Sequence, residues 1–256
     1  MNQAISMNRL LSFRISEKKQ VGSALYIVMV MLLAASLLAI WAARGALFQE
    51  WLAGNDADYQ RAFEAAQLLM QDAEMDLRGM SASGAPCQID EKDGAICRRE
   101  SSVGFSFDQR ELPAMMEFLN SKPTGCVEGI CRKRSGIQDF WLDKKLMLQM
   151  TDSAVAARYG QYTGAIADPE MHPILAERGT ATVAGELRGA WYWIEILPYA
   201  DENIRLLSSY EANTALARFS PDRNRPWIYR ITVLARGKKK GTEVVLQSVL
   251  TIKSVE

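Results

Sequence analysis

Four cysteines, a single histidine and a glycine-serine junction are the residues of this 256-residue chain whose types and spacing could carry chemistry. Four cysteines admit three pairings. Cys87 with Cys97 and Cys126 with Cys131 are favoured, because each pair is close in sequence, closes a short loop and lies among Gly, Pro and charged residues. Each bridge would stabilise the fold by ~2–3 kcal/mol through loop-closure entropy. Zinc is the competing chemistry, but neither spacing is C-x2-C, and His172 is remote from the cysteines and precedes Pro173. The sequence therefore names no metal and no cofactor. A Ser-His-Asp or Cys-His arrangement would have to recruit that same histidine, which reads as a loop residue. No Walker A loop or dinucleotide-binding glycine pattern occurs. Asp90-Glu91-Lys92-Asp93-Gly94 lacks the alternating aspartates and distal glutamate of an EF-hand and reads as a solvated loop. No catalytic residue emerges, and an enzyme is not expected.

The glycine-serine junction is different in kind. Lys18-Lys19-Gln20-Val21-Gly22-Ser23 precedes an apolar run that reaches Ala43 before Arg44 restores a charge. The 24 residues between Lys19 and Arg44 carry no formal charge, and ~20 suffice for a helix to cross a ~30 Å hydrocarbon core. Residues 21–43 are thus expected to span a membrane. Arg9, Arg14, Lys18 and Lys19, opposed only by Glu17, keep the N-terminus cytoplasmic. The bulk of the chain then faces outward, which in a diderm bacterium is the periplasm, where disulfides persist. The run is longer than the ~7–15 residues of a secretory signal. A cleavage near Ala39, Ala42 and Ala43, or a plain uncleaved anchor, would be the ordinary alternatives. Ala35, Ala39 and Ala43, four residues apart, line one helix face with small side chains and would let another helix approach closely.

The elements that must position these residues follow from periodicity. Beyond Arg44, Phe48, Trp51, Leu52, Asn55, Tyr59, Ala62, Phe63, Ala66, Met70, Ala73 and Leu77 recur in steps of three or four, so the helix continues past the membrane. Asp58, Arg61, Glu64, Gln67 and Gln71 are read as its solvent face. Gly54-Asn55 predicts a bend or loosened turn, since glycine costs roughly 1 kcal/mol against alanine there. The helix is expected over 23–80, roughly 85 Å at ~1.5 Å per residue. Residues 113–120 suggest a short helix, Asp139 could cap a second and Thr151 or Asp152 a third. Residues 191–197 and the alternating 227–235 read as strands, with Arg236-Gly237-Lys238-Lys239-Lys240-Gly241 as a solvated hairpin tip. Val244, Leu246, Leu250 and Ile252 continue as the returning strand. The expected class is α+β: a long N-terminal helix, transmembrane in its first half, laid on an antiparallel sheet. The chain divides into 1–22, 23–80 and an outward-facing domain over 81–256 of about 176 residues, enough for one core. Its formal net charge of zero gives no electrostatic reason to expect nucleic acid.

These segments carry a resemblance. The basic leader, Gly22, a small residue at Ser23 and an immediate apolar helix look like a type IV prepilin. More narrowly, Gly22-Ser23-Ala24-Leu25, Gln49-Glu50-Trp51-Leu52-Ala53-Gly54-Asn55 and Ala62-Phe63-Glu64-Ala65-Ala66 resemble the N-terminal region of the PilX family of type IV pilus assembly proteins. Tyr229-Arg230-Ile231-Thr232-Val233-Leu234-Ala235-Arg236-Gly237 and Val245-Leu246-Gln247-Ser248 are similar to its C-terminal part. The resemblance implies a pilin-like fold, cleavage by a prepilin peptidase between Gly22 and Ser23, methylation of the new Ser23 amine, and incorporation as a minor pilin beside other minor pilins and the major pilin. It further implies an inner-membrane state before assembly, and a role in twitching motility, adhesion or DNA uptake.

One position departs from the major-pilin pattern: where those carry glutamate as the fifth mature residue, this chain has Ile27. A carboxylate in lipid is expensive, and pairing with the N-terminal ammonium of the subunit above is its usual justification. A subunit without it has nothing to offer a neighbour above, so a place at or near the pilus tip is expected. A tip pseudopilin of a type II secretion system is the sister reading, and a membrane-anchored periplasmic enzyme or sensor is the reading from another class.

Overall fold

The computed structural model describes residues 23–87, 96–105, 110–136, 138–177, 187–198, 221 and 227–252. Its first element, α1, is Ser23–Leu77. The chain forms two compact units, residues 1–53 and 54–256, and α1 contributes to both.

The larger unit is built on a five-stranded sheet in the order β1-β2-β3-β4-β5. The strands are β1 Cys126–Val127, β2 Ile130–Arg132, β3 Gly189–Pro198, β4 Trp227–Arg236 and β5 Glu243–Leu250. Pairing is antiparallel except between β2 and β3, which run parallel. The sheet is mostly antiparallel, and the α+β class holds. The parallel pair arises because the β1–β2 hairpin, two and three residues per strand, docks on the free edge of β3.

Period-two alternation divides the long strands cleanly between two cores. Tyr192, Ile194 and Ile196 of β3 join Tyr229, Ile231, Val233 and Ala235 of β4 against Ala62, Ala66, Leu69, Ala73 and Leu77 of α1. Trp191, Trp193 and Leu234 face the other way, onto Phe140, Met147 and Met150 and the cystine of β1 and β2. That second layer is a 3-10 turn, Phe140–Leu142, and α3, Lys144–Met150. Two further helices are α2, Leu112–Asn120, and the single turn α4, Pro173–Ala176.

Four expectations require correction. At Gly54-Asn55 α1 stays helical rather than loosening, and the glycine admits the hairpin tip. A Cβ on Gly54 would come within 2.6 Å of Lys239 Nζ, which donates to Asn55 Oδ1 at 3.0 Å. The helix ends at Leu77 rather than near residue 80, since Gly79 adopts a left-handed φ of 63° that stops the helical ladder. Asp139 caps no α-helix. Asp143 does, its side chain accepting from the Lys145 and Leu146 amides at 2.8 and 3.2 Å. No third helix begins at Thr151 or Asp152: Asp152 Oδ1 takes the Ala154 amide at 2.9 Å in a local turn, and the Thr151 hydroxyl donates back to the Met147 carbonyl at 2.8 Å.

Candidate functional site

The first part of α1 presents an apolar surface. Every described residue from 23 to 53 is exposed, Leu25, Leu33, Leu37 and Trp41 among them. Arg44 and Glu50 are its only charged residues. Among the described residues this is the one helix long and apolar enough to cross a membrane. Within it the Ser36 hydroxyl is satisfied without water, donating to the Leu32 carbonyl at 2.7 Å. An apolar surface of this length is compatible with single-pass membrane anchoring.

The continuation of the same helix inverts the pattern, burying carboxylates. Asp58, Asp72 and Asp76 are 1%, 0% and 5% exposed, and each meets a different part of the larger unit. Asp58 accepts the backbone amides of Lys238 and Lys239 at 3.0 and 2.8 Å. The β4–β5 tip is therefore fastened to the helix rather than merely solvated. Gly237 makes this possible, because a Cβ there would overlap Asp58 Oδ2. Asp72 accepts the Gly160 amide at 2.8 Å and the Thr163 hydroxyl. Asp76 meets Arg98 through two bonds, Nε to Oδ1 at 2.8 Å and Nη2 to Oδ2 at 2.6 Å, and takes the Tyr192 hydroxyl at 2.7 Å.

Arg98 arrives by way of the first disulfide. Cys97, bonded to Cys87, and Arg98 hold left-handed φ values of 62° and 54°. The Cys97 amide donates to the Tyr162 carbonyl at 2.7 Å and the Cys87 amide to the Gly79 carbonyl at 2.8 Å. The bridge thus holds Arg98 just beyond the end of α1, where its guanidinium lies over the Tyr162 ring at 3.8 Å. The second disulfide, Cys126–Cys131, joins register partners of the β1–β2 hairpin.

Electrostatics separate Asp72 from Asp58. Burial raises Asp72 to about 6, against the opposing Thr163 and Gly160 hydrogen bonds and with the neighbouring Asp76 adding to the rise. Asp58 stays below the usual range: burial pushes it up, but the Lys239 and Lys238 amides, Thr242 and Arg61 outweigh that. Burial disfavours charge on Arg98, yet Asp76 holds its value above the ordinary one. Burial, then the Asp76 carboxylate, push the Tyr192 phenol well up. This arrangement suits locking a helix in place. Among the described residues no group of His, Cys, Asp and Glu gathers as metal ligands would.

The residues singled out by sequence fall as follows. Ser23 opens α1, and Ile27, 53% exposed, lies in its apolar part with Ala35, Ala39 and Ala43. Gly22, the leader 1–22 and Asp90-Glu91-Lys92-Asp93-Gly94 lie outside the described residues. The buried carboxylates are not among the sequence candidates, and Asp58, expected on the solvent face, is buried. A signal existed. Separations of 14 and 4 residues, near multiples of 3.6, put Asp58, Asp72 and Asp76 on the Ala62–Ala66–Leu69–Ala73 stripe.

Comparison with known protein families gives two matches. A PilX N-terminal model matches residues 22–68, and one for the type IV pilus assembly protein PilX C-terminal region matches residues 127–252, together more than half of the chain. No curated protein and no solved structure matches it.

Proposed function

The chain belongs to the PilX family of type IV pilus assembly proteins, a structural family of minor pilins, and we propose that it works at or near the pilus tip, in a complex with other minor pilins that initiates assembly. The observation that carries this reading is Ile27 in the exposed apolar helix, where a subunit with another stacked above it would need a carboxylate to meet the N-terminal ammonium of that neighbour.

The sequence of events is physical rather than catalytic. Prepilin peptidase removes 1–22 at Gly22/Ser23, and the Ser23 amine is methylated. The helix over 23–43 rests in the inner membrane with the C-terminal domain in the periplasm. Assembly then transfers that helix from lipid into a filament core of like helices, an exchange of one apolar surrounding for another that small residues such as Ala35, Ala39 and Ala43 favour by close approach. The buried carboxylates keep the larger unit attached to its own length of α1 during that transfer.

One experiment tests both levels. Intact mass of the membrane protein, with and without the peptidase, is expected to differ by residues 1–22 and a methyl group; an unchanged mass rules out the pilin processing. Ile27→Glu, introduced in the same strain, is expected to lower pilus initiation and weaken association with the other minor pilins. Full initiation by that variant would remove the tip assignment while leaving family membership intact.

A further inference from the structure

Arg134 is half-buried, and its guanidinium makes no ion pair with a carboxylate among the described residues. Its backbone amide donates to Glu195 Oε1 at 3.1 Å, while the other oxygen, Glu195 Oε2, is taken by Arg230 at 2.7 Å. Glu195 is thus occupied at both oxygens. The Arg134 guanidinium lies over the Phe140 ring, 4.4 Å from its centroid, and its Nη2 reaches only the Met150 sulfur, at 3.2 Å. A thioether is a weak acceptor. Burial, together with Arg132 and Arg230, draws Arg134 below its ordinary value, and Glu195 is the one carboxylate that opposes this.

The surroundings are also held in place. Gln138 accepts from Arg230 through Oε1 and donates to the Arg134 and Gly136 carbonyls at 3.3 and 3.0 Å. Phe140 is wedged edge-on against Trp193 at 4.9 Å and Trp141 at 5.3 Å. Trp141 is half-buried, and Leu142 follows it at 76% exposure. A guanidinium short of a carboxylate and stacked on Phe140, which is followed in the chain by a half-buried tryptophan and an exposed leucine, has the composition of an interface hot spot.

We propose that Arg134, backed by Arg230 and flanked by Trp141 and Leu142, receives an Asp or Glu side chain from another pilus subunit. This rests on the reading of the chain as a minor pilin. A carboxylate fits better than a phosphodiester chain: one planar fork beside apolar side chains matches a single acidic residue on a protein surface, and the net charge of zero provides no wider field to hold a polyanion.

The test places a photo-crosslinking amino acid at Leu142 in the full chain, in cells, in the wild-type, R134E and R134K backgrounds. The expected product is a cross-link to another pilus subunit near an Asp or Glu, reduced by roughly tenfold or more by R134E and partly kept by R134K. Reversing the partner's acidic residue to Lys is expected to restore the R134E product. Intact disulfides and an unchanged thermal midpoint certify the fold of R134E, and R134Q replaces it if they do not. A cross-link insensitive to R134E or R134Q, or no subunit cross-link at Leu142, overturns the proposal. So does binding of a single-stranded oligonucleotide that R134E abolishes while no subunit is captured. Wild-type chain found in sheared pili alongside an insensitive cross-link sinks the Arg134 site alone; chain absent from pili overturns the minor-pilin reading as well.

Discussion

The two parts of α1 obey opposite rules of burial. Over 23–53 the helix exposes leucine, isoleucine, valine and tryptophan; over its remaining length it hides three aspartates and shows glutamate, arginine and glutamine to solvent. Neither part violates the physics. An apolar side chain is stable on the outside where the surroundings are lipid or other helices, and a carboxylate is stable inside where donors meet it at once. The difference teaches that exposure in the first part and burial in the second both identify the partner: the first lacks one within the described chain, and the second has a dedicated donor for each charge.

The largest effect that would break this contrast comes from Asp76. Asp76→Ala leaves Arg98 with a side chain 5% exposed and without its carboxylate, and removing one member of a buried ion pair costs about 3–5 kcal/mol. The Tyr192 hydroxyl loses its acceptor as well. Urea unfolding of the full chain in detergent is expected to show a loss of that size. A loss below about 1 kcal/mol, the range of surface pairs, would mean that Asp76 holds nothing and the second part is an ordinary apolar contact.

How much of this was legible beforehand depended on where the partners lie. The apolar run, its continuation and the strands β3, β4 and β5 are carried by local periodicity, and the sequence pattern located them. The β1–β2 hairpin escaped because strands of two and three residues are too short to show a period, and with it went the parallel pair. Asp139 and Asp143 are equally good cap residues by type; only the amides of Lys145 and Leu146 distinguish them. Asp58, Asp72 and Asp76 were harder still. Charged residues are rarely buried unless paired, and their partners stand far along the chain: Lys239 for Asp58, Thr163 for Asp72, Arg98 for Asp76. A helical stripe that alternates alanine with aspartate is legible as a buried face only once those donors are known.

The first part of the helix admits a test of similar size. Leu33, 63% exposed, would tolerate arginine with a change near zero if water were its surrounding. At the middle of a membrane span the same substitution costs about 2.5–3.5 kcal/mol for the arginine itself. Leu33→Arg is therefore expected to reduce the membrane-inserted fraction, measured by carbonate extraction, while the two disulfides still form. Full retention of the variant in the membrane would place Leu33 on water or on a polar partner and erase the contrast between the two parts.

A subtler difference lies within the buried carboxylates, and pH separates them. Asp72 keeps its proton up to about 6 in the native state and releases it near 3.8 when unfolded, so as pH falls from 7 the native state takes up the proton first. Stability contributed by this group therefore rises on acidification, between pH 6 and about 4, by at most about 3 kcal/mol. Asp58 works the other way. Its value is lowered, so its contribution is present above 3.8 and is lost only as pH falls further, through its native value. Around Asp72 stand Asp76, which raises it, the Thr163 and Gly160 donors, and the phenols of Tyr159 and Tyr192, both of which it pushes up. Asp72→Asn removes the proton uptake and is expected to flatten the dependence between pH 6 and 4 without altering the loss below it. Equal slopes for wild type and variant in that interval would show that Asp72 is ionised near its ordinary value, and that donors alone, rather than donors working against burial, hold all three carboxylates.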